Sequence, residues 1–310
     1  MEYVPNVVIM NAVTNTVKYS VMIRILFYIV LFGHQLSQYC YASKSDVTNV
    51  FVSILPQKYF VERIGGKHVN VSVMVGSGQS PATYEPSPRQ MALLNESQLY
   101  FRIGVPFENI WIDVIKELNT HLKFIECCAE LQKRITEDHH HDNDAKKENE
   151  KDPHVWTSPE NTKYIALKIK NALADIQPAY KTEFESNYSG LIEDLNKLDE
   201  DIKSHLAQLN NRYIVVSHPS WGYYAEAYDL IQLPIELEGK EVRAKSLAKL
   251  IELAHSKNIN KVFVQKQFNK NSAEILAKEI DADIIELDPL AEDYIVNLYY
   301  VTGAIVESGK

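Results

Sequence analysis

The sequence predicts an α/β protein of two lobes with mostly parallel sheets, joined by a long rigid helix and separated by a cleft. Two observations carry this prediction. Short β-branched, apolar runs alternate with helical segments in residues 48–125 and again in residues 213–306, which is the pattern of parallel sheets with helices on both faces. Between these two regions, one apolar stripe at helical spacing runs through residues 180–209.

The first half of the chain contains four predicted strands that alternate with three helices. Ser87 is the expected N-cap of one helix, because Pro88 stands at its first position and Gln90 completes a capping box. The predicted strands are 48–54, 70–75, 98–103 and 122–125, and the other two helices are 57–64 and 107–118.

Residues 129–153 interrupt the alternation, because they are highly charged and nearly free of apolar side chains. Such a segment cannot bury itself, so we expect a disordered surface loop. Ser158 and Pro159 then begin a further helix that should continue to about Ile176.

The longest helix is predicted from Pro178 to Leu209, where apolar residues recur at intervals of three and four. At 1.5 Å per residue it would extend roughly 45 Å, enough to run from one lobe to the other. A coiled-coil partner helix is the alternative, but the chain resumes α/β structure at once. The members of the stripe are Tyr180, Phe184, Tyr188, Leu191, Leu195, Leu198, Ile202, Leu206 and Leu209.

The second half repeats the alternation and completes the second lobe. Its predicted strands are 213–216, 231–235, 261–265 and 284–287, and its predicted helices are 221–228, 245–257, 271–280 and 292–306. In open α/β sheets, ligands bind beyond the carboxyl ends of the strands, so two facing sheets would form a cleft.

Residues 22–42 have the features of a secretory signal. Arg24 precedes a short apolar run, and Tyr41 is flanked by Cys40 and Ala42, so we expect cleavage after Ala42 and export. Residues before Met22 would be an upstream extension, and residues 1–42 would be absent from the mature protein. A retained membrane anchor and lipid attachment at Cys40 are the alternatives.

Composition excludes some classes of function. The net charge of -9 argues against a nucleic-acid-binding protein, whose binding face is basic. After cleavage, Cys127 and Cys128 are the only cysteines. Adjacent cysteines rarely bridge each other, so no disulfide framework is expected, and a buried or idle pair is favoured over thiolate ligands.

The candidate ligating residues are histidines and acids at loops and strand ends. His139, His140 and His141 form a His-rich tract in the charged loop, although such histidines can be incidental on a solvated loop. His154 follows that loop, and His218 and Asp288 each follow a predicted strand and precede a proline. Each has an ordinary alternative: a lone histidine is usually only hydrogen-bonded, and Asp288 could cap the last helix.

The chain resembles the extracytoplasmic solute-binding proteins of zinc and manganese ABC importers (cluster A-I, ZnuA/TroA-like) over essentially all of its mature length. Four ordered motifs carry the resemblance, together with the His-rich loop. They are residues 78–88 (GQSPATYEPSP), 152–159 (DPHVWTSP), 217–224 (SHPSWGYY) and 287–290 (LDPL). The resemblance implies two lobes with one metal ion held between them, and delivery of that ion to a membrane permease.

The resemblance also implies the ligands. The family's second, third and fourth ligands correspond to His154, His218 and Asp288, and histidine at the third position is typical of the zinc branch. The family's first ligand is a histidine, and Ala82 stands in its place here. Water, Glu238 or a histidine from 139–141 could fill the vacated position, in that order of preference.

These features predict a non-enzymatic, monomeric protein that captures Zn(II) and passes it to an ABC permease, with the His-rich loop collecting ions first. The expected domains are an N-terminal lobe at 43–177, a linking helix at 178–209 and a C-terminal lobe at 210–310. A Mn(II)-specific binding protein and a metal-dependent adhesin of the same fold are alternatives. A zinc hydrolase is disfavoured, because the sequence has no His-Glu-x-x-His helix.

Overall fold

The computed structural model describes residues 47–135, 151–237, 240–241 and 244–309. The expected signal, the tract His139–His141 and Glu238 therefore lie outside the described residues. The elements, in chain order, are β1 (Thr48–Ile54), α1 (Leu55–Gly65), β2 (Val69–Val75), α2 (Pro88–Leu94), β3 (Leu99–Arg102), α3 (Pro106–Leu118), β4 (Lys123–Glu126), α4 (Pro159–Ile176), α5 (Lys181–Leu206), β5 (Tyr213–Val216), α6 (Gly222–Ala227), β6 (Ile231–Pro234), β7 (Glu236–Leu237), β8 (Lys240–Glu241), α7 (Ala244–Ser256), β9 (Lys261–Val264), α8 (Asn271–Glu279), β10 (Asp283–Glu286) and α9 (Tyr294–Ser308).

Two four-stranded sheets organise the fold, and every pair of neighbouring strands within them is parallel. The first sheet has the order β2-β1-β3-β4, with Val50 of β1 opposite Val71 and Leu99. The second has the order β10-β9-β5-β6. The α/β prediction with two mostly parallel sheets is confirmed. The small antiparallel pair β7–β8 is an addition that the sequence analysis did not predict.

Strand order determines where polar loops gather. In the second sheet β5 and β9 are neighbours although far apart in sequence, so the chain leaves them in opposite directions across the sheet. This is a topological switch point, and the loops beyond the carboxyl ends of such strands separate to leave a crevice. Residues that follow β5, β9 and β10 therefore share one edge of the second sheet.

The helix starts follow the predicted capping chemistry. At α2, the Ser87 hydroxyl accepts a hydrogen bond from the Gln90 backbone N–H, and the Gln90 side chain accepts one from the Ser87 N–H. At α4, the Ser158 hydroxyl accepts from the Asn161 N–H. Both serines satisfy backbone donors that a helix N-terminus leaves without partners.

The long helix α5 has 26 residues and is shorter at both ends than the predicted segment 178–209. Residues Pro178–Tyr180 form a 3-10 turn instead, and Leu209 lies beyond the helix yet is only 9% exposed. The members of the stripe from Leu191 to Leu209 are buried and Tyr180 and Tyr188 are partly buried, so the stripe marks the core side of the segment but overestimates the helix length. At 1.5 Å per residue, α5 extends about 39 Å.

Helix α5 packs against α1 and α4 on the side of the first sheet and against α9 on the side of the second. Its buried residues include Phe184, Leu195 and Ile202, all fully enclosed. They belong to a large core that also contains Val216 and Trp221 from the second half of the chain. One continuous core thus joins the two sheets.

A smaller core fills the other face of the second sheet. Val215 of β5 belongs to it, whereas its neighbours Ile214 and Val216 belong to the large core, as the alternation of side chains along a strand requires. Leu233 and Leu276 complete this layer from β6 and α8. Within the described ranges, no helix combines the length and apolar content needed to cross a bilayer.

Cys127 and Cys128 follow β4, and both are free thiols that are buried in the large core. Burial disfavours the thiolate and raises the pKa of both groups, that of Cys128 to about 12. Since the thiolate is the reactive form, both cysteines should be inert in the folded protein.

We therefore expect iodoacetamide at pH 8 to label the folded chain from Ser43 onward very slowly. In denaturant, the same chain should be labelled rapidly at both cysteines. The shift at Cys128 alone lowers its thiolate fraction by roughly a thousandfold relative to an ordinary thiol. Mass spectrometry of intact protein over time would measure the difference. Rapid double labelling of the folded protein would contradict the buried placement.

Candidate metal centre

His154 is fixed by a carboxylate two residues before it. The imidazole Nδ1 lies 2.8 Å from Asp152 Oδ1, which also accepts a hydrogen bond from the His154 backbone N–H at 2.9 Å. Asp152 is 5% exposed. Because a carboxylate accepts hydrogen bonds, Nδ1 carries the proton and the lone pair of the ring is at Nε2. His154 therefore has the tautomer that a metal ligand needs.

His218 has the same arrangement on the second sheet. It follows β5, and its Nδ1 lies 2.6 Å from Glu236 Oε1. Hydrogen bonds from the backbone N–H of Ile235 to Val216 and from that of Glu236 to Ser217 bring the two segments side by side. Burial lowers the pKa of His218, against the opposing effect of Glu236, and so favours the neutral ring.

The two imidazoles meet. Their ring centroids are 5.3 Å apart and their planes are inclined at 75°. Phe268 stacks on the His218 ring at 4.0 Å and 14°, which shields one face of that imidazole. Two imidazoles side by side, each held at Nδ1 by a carboxylate, can present their Nε2 lone pairs to a divalent cation.

Asp288 follows β10, as predicted, but its carboxylate is engaged by protein donors. Its Oδ1 accepts hydrogen bonds from Gln267 Nε2 at 3.0 Å and from the Leu290 N–H at 2.9 Å. Its Oδ2 lies 2.8 Å from the Lys266 ammonium. Asp288 does not cap the last helix, because Asp293 takes that role at α9.

The described residues bring His154 and His218 together without a third ligating side chain. Among the residues described, no group of three or more His, Cys, Asp or Glu side chains is arranged to hold a metal ion. Asp288 stays a prediction as a ligand. Glu238 and the histidines 139–141 lie outside the described residues, so their predicted roles also stay predictions.

Ala82 lies in the exposed turn that follows β2. Its backbone N–H donates to the Ser80 hydroxyl at 3.3 Å, and the carbonyl of Pro81 accepts from the Phe107 N–H at 3.2 Å. A shallow polar cavity of about 270 Å³ adjoins this turn. Its lining residues are Gln79, Ser80, Thr83, Tyr84 and Glu85.

The residues that flank the His-rich segment are held together beside His154. Ile135 and Lys151 form an antiparallel bridge, and the Asp152 N–H donates to the carbonyl of Arg134 at 2.9 Å. The Tyr223 hydroxyl accepts from the Arg134 N–H at 3.0 Å and donates to the Asp152 carbonyl at 2.9 Å. Arg134 and Asp152, which lie on either side of the segment, thus both contact Tyr223 of helix α6.

Gly222 permits this close approach. A Cβ atom at this position would lie 2.9 Å from Asp152 Oδ2 and 3.2 Å from Arg134 Nε. Real Cβ contacts are rarely so short, so a side chain here would displace the carboxylate that orients His154. Position 222 of the family-like motif 217–224 is therefore a packing requirement of the site.

Sequence reasoning missed the residues that support the candidate ligands. Asp152 lies in the motif 152–159 but has no role predicted from sequence, and Glu236 lies two residues before the predicted candidate Glu238. Phe268 and Lys266 went unnoticed, because nothing in their local sequence shows that the loop after β9 reaches His218 and Asp288. The Asp-Pro-His spacing was a usable signal for Asp152, since an acid two residues before a histidine can reach its Nδ1.

Comparison with protein families gives a match over most of the chain. The family described as "ZnuA: Zinc-uptake complex component A periplasmic" matches residues 50–308. A "Putative metal-binding protein" of Chlamydia trachomatis serovar D is 30% identical over 258 residues, covering 82% of this chain and 89% of the relative. The "Zinc-binding protein AdcA" of Streptococcus pyogenes serotype M3 is 26% identical over 88% of this chain, which spans 56% of that relative.

Solved structures agree with this match. "Crystal structure of ZnuA" superposes with a TM-score of 0.80 at 38% identity, over 85% of this chain and 100% of that one. A "138-173 ZnuA deletion mutant plus zinc bound" gives a TM-score of 0.79 at 37% identity, covering 85% and 98% of the two chains. The laminin-binding protein of Streptococcus agalactiae, at 20% identity, a TM-score of 0.75 and coverage of 85% and 100%, shares the fold.

Proposed function

We propose a function for this chain, which belongs to the zinc-uptake complex component A family of periplasmic proteins: it captures Zn(II) outside the cytoplasm and delivers it to an ABC permease in the membrane. The family consists of solute-binding proteins of ABC transport and not of enzymes. The observation that carries the proposal is the pair of imidazoles, His154 and His218, each held at Nδ1 by a buried carboxylate.

The choice of zinc follows from ligand chemistry. Imidazole nitrogen is a borderline-soft donor that suits Zn(II), whereas Mn(II) prefers oxygen ligands. Two imidazoles whose ring centroids are 5.3 Å apart therefore favour a zinc site over a manganese-specific site. Relatives named for zinc support the same choice.

We infer that Asp288 joins His154 and His218 as a ligand, because it follows β10 at the same sheet edge as His218. The remaining position, the family's first, would belong to the turn where Ala82 has no donor to offer. Water is our first choice there, followed by Glu238 and a histidine from 139–141. A site with one water ligand exchanges its metal more readily than a closed four-ligand site.

Location and partner follow from family membership and the N-terminal sequence. Members are periplasmic or extracytoplasmic, and cleavage after Ala42 would release or expose the mature chain there. A monomer that docks on a permease is the simplest assembly. An adhesin role is the alternative, since the streptococcal laminin-binding protein shares the fold, but no described surface of this chain favours it.

Replacing both His154 and His218 by alanine should lower zinc affinity by more than roughly a hundredfold, because both nitrogen ligands are lost. Isothermal titration calorimetry of the chain from Ser43 onward would measure it. The control is His121→Ala, which removes an exposed histidine before β4 and should bind as the unmodified chain does. Unchanged affinity in the double variant would refute the assignment.

Asp152→Asn and Glu236→Gln should each weaken zinc binding by roughly tenfold to a hundredfold while leaving every ligand in place, because the imidazoles lose the carboxylates that fix their tautomers. Asp175→Asn is the matched control, since Asp175 is an exposed acid paired only loosely with Lys123 at 3.8 Å. Equal affinities for all three variants would show that the carboxylates have no role in the site.

Deleting residues 138–150 should leave tight zinc binding intact and slow capture from dilute zinc, because the His-rich segment raises the ion concentration near the cleft. The bridge between Ile135 and Lys151 stays available to close the shortened loop. Equilibrium titration and stopped-flow association would separate the two effects. Loss of tight binding would place the site in the loop instead.

A further inference from the structure

The loop that follows β9, residues 265–270, contacts both proposed ligands of the second half. The Gln265 side chain donates to the His218 carbonyl at 3.3 Å and to the Ser220 hydroxyl. Phe268 stacks on the imidazole of His218. At the other side, Lys266 and Gln267 bind the Asp288 carboxylate. This loop therefore positions His218 and Asp288 together.

Lys266 differs from Gln265, Gln267 and Phe268 because it brings a positive charge beside a proposed cation ligand. Its ammonium lies 2.8 Å from Asp288 Oδ2, and its side chain is 36% exposed. An ammonium is a compact charge on a flexible four-carbon stem, so it can leave the carboxylate for solvent without moving the backbone. The Asp288 carboxylate itself is 17% exposed.

We propose that Lys266 is a resident counter-cation, which occupies the Asp288 carboxylate in the metal-free protein and must be displaced when the metal ion binds. The inference rests on the proposed function, because it takes Asp288 as a ligand. A metal ion and an ammonium carry the same sign of charge, so they compete for Oδ2 and repel each other while both are near.

Two consequences follow for the binding cycle. In the metal-free state Lys266 neutralises a largely buried carboxylate that would otherwise be costly to keep charged. In the metal-bound state the displaced ammonium stays near the ion, and its repulsion lowers the affinity of the site for that ion. Gln267 and the Leu290 N–H still hold Asp288 Oδ1, so the carboxylate keeps its orientation when the lysine leaves.

The chain contains a matched control on the same loop. Lys270 pairs with Glu286 at 3.0 Å, and its side chain is 37% exposed. It has the same charge, nearly the same side-chain exposure and an ion pair only 0.2 Å longer than that of Lys266, but its partner is not a proposed ligand. Lys270→Met therefore changes net charge and surface exposure as Lys266→Met does, without touching Asp288.

The experiment compares the unmodified chain from Ser43 onward with Lys266→Met, Lys266→Arg and Lys270→Met. Zinc affinity is measured by competition with a chelator of known affinity. Lys266→Met should bind zinc roughly three- to thirtyfold more tightly, the range expected for removing a partly exposed charge near the ion. Lys270→Met and Lys266→Arg should stay within about twofold of the unmodified chain, because the charge beside Asp288 is retained.

Thermal unfolding supplies a readout besides zinc affinity. Lys266→Met should lower the Tm of the metal-free protein, where the ion pair with Asp288 is lost, and should not lower that of the zinc-saturated protein, where the ammonium only repels the ion. If Lys266→Met binds zinc no more tightly than Lys270→Met, the inference is wrong while the proposed function stands. If the unmodified chain takes up no stoichiometric zinc, the proposed function fails and the inference fails with it.

Discussion

The candidate site depends on one repeated interaction, a hydrogen bond from an imidazole Nδ1 to a buried carboxylate. Asp152 makes it with His154, and Glu236 makes it with His218. In water such a pair would be weak and mobile, but here both acids are at most 9% exposed, so the geometry is fixed before any ion arrives. Preorganised imidazoles lose little freedom on binding a metal, which is why the surrounding shell matters as much as the ligands.

The rest of the fold holds these two pairs in register. The Trp156 indole, directly beyond His154 and Val155, donates to the carbonyl of Pro289 at 2.8 Å, which links the loop of one candidate ligand to the loop of another. Thr162 of α4 donates to the Tyr294 hydroxyl at 3.0 Å, deep in the large core. With α5 packed on both sides, these contacts favour local loop ordering over a wide hinge motion when an ion binds.

Two features of the proposed site act on affinity in the same direction. Ala82 offers no donor from the turn after β2, and Lys266 places a positive charge beside Asp288. Each would weaken the hold on a divalent cation, the first by leaving a position to water and the second by competition for Oδ2. Under the proposed function the protein must release its ion to a permease, and a moderate affinity is compatible with that release.

Local sequence determined the secondary structure closely, because its signals are local. β-branched runs located β1 and β2, Ser87 and Pro88 located the start of α2, and helical spacing located the buried side of α5. The positions of His154, His218 and Asp288 at a loop and at two strand ends made them candidates, and the family resemblance assigned them as ligands. Local sequence overestimated α5 because Tyr180 and Leu209 continue the apolar stripe outside the helix.

Tertiary structure alone decided which charged groups meet. Glu236 binds His218 at the ends of the neighbouring strands β5 and β6. Tyr223 binds the backbone on both sides of the His-rich segment. Lys266 forms an ion pair with the carboxylate of Asp288. None of these pairs lies at a spacing that helix or strand periodicity encodes. They form because parallel strands bring the loops at one sheet edge together, and burial then makes any unpaired charge there too costly to keep.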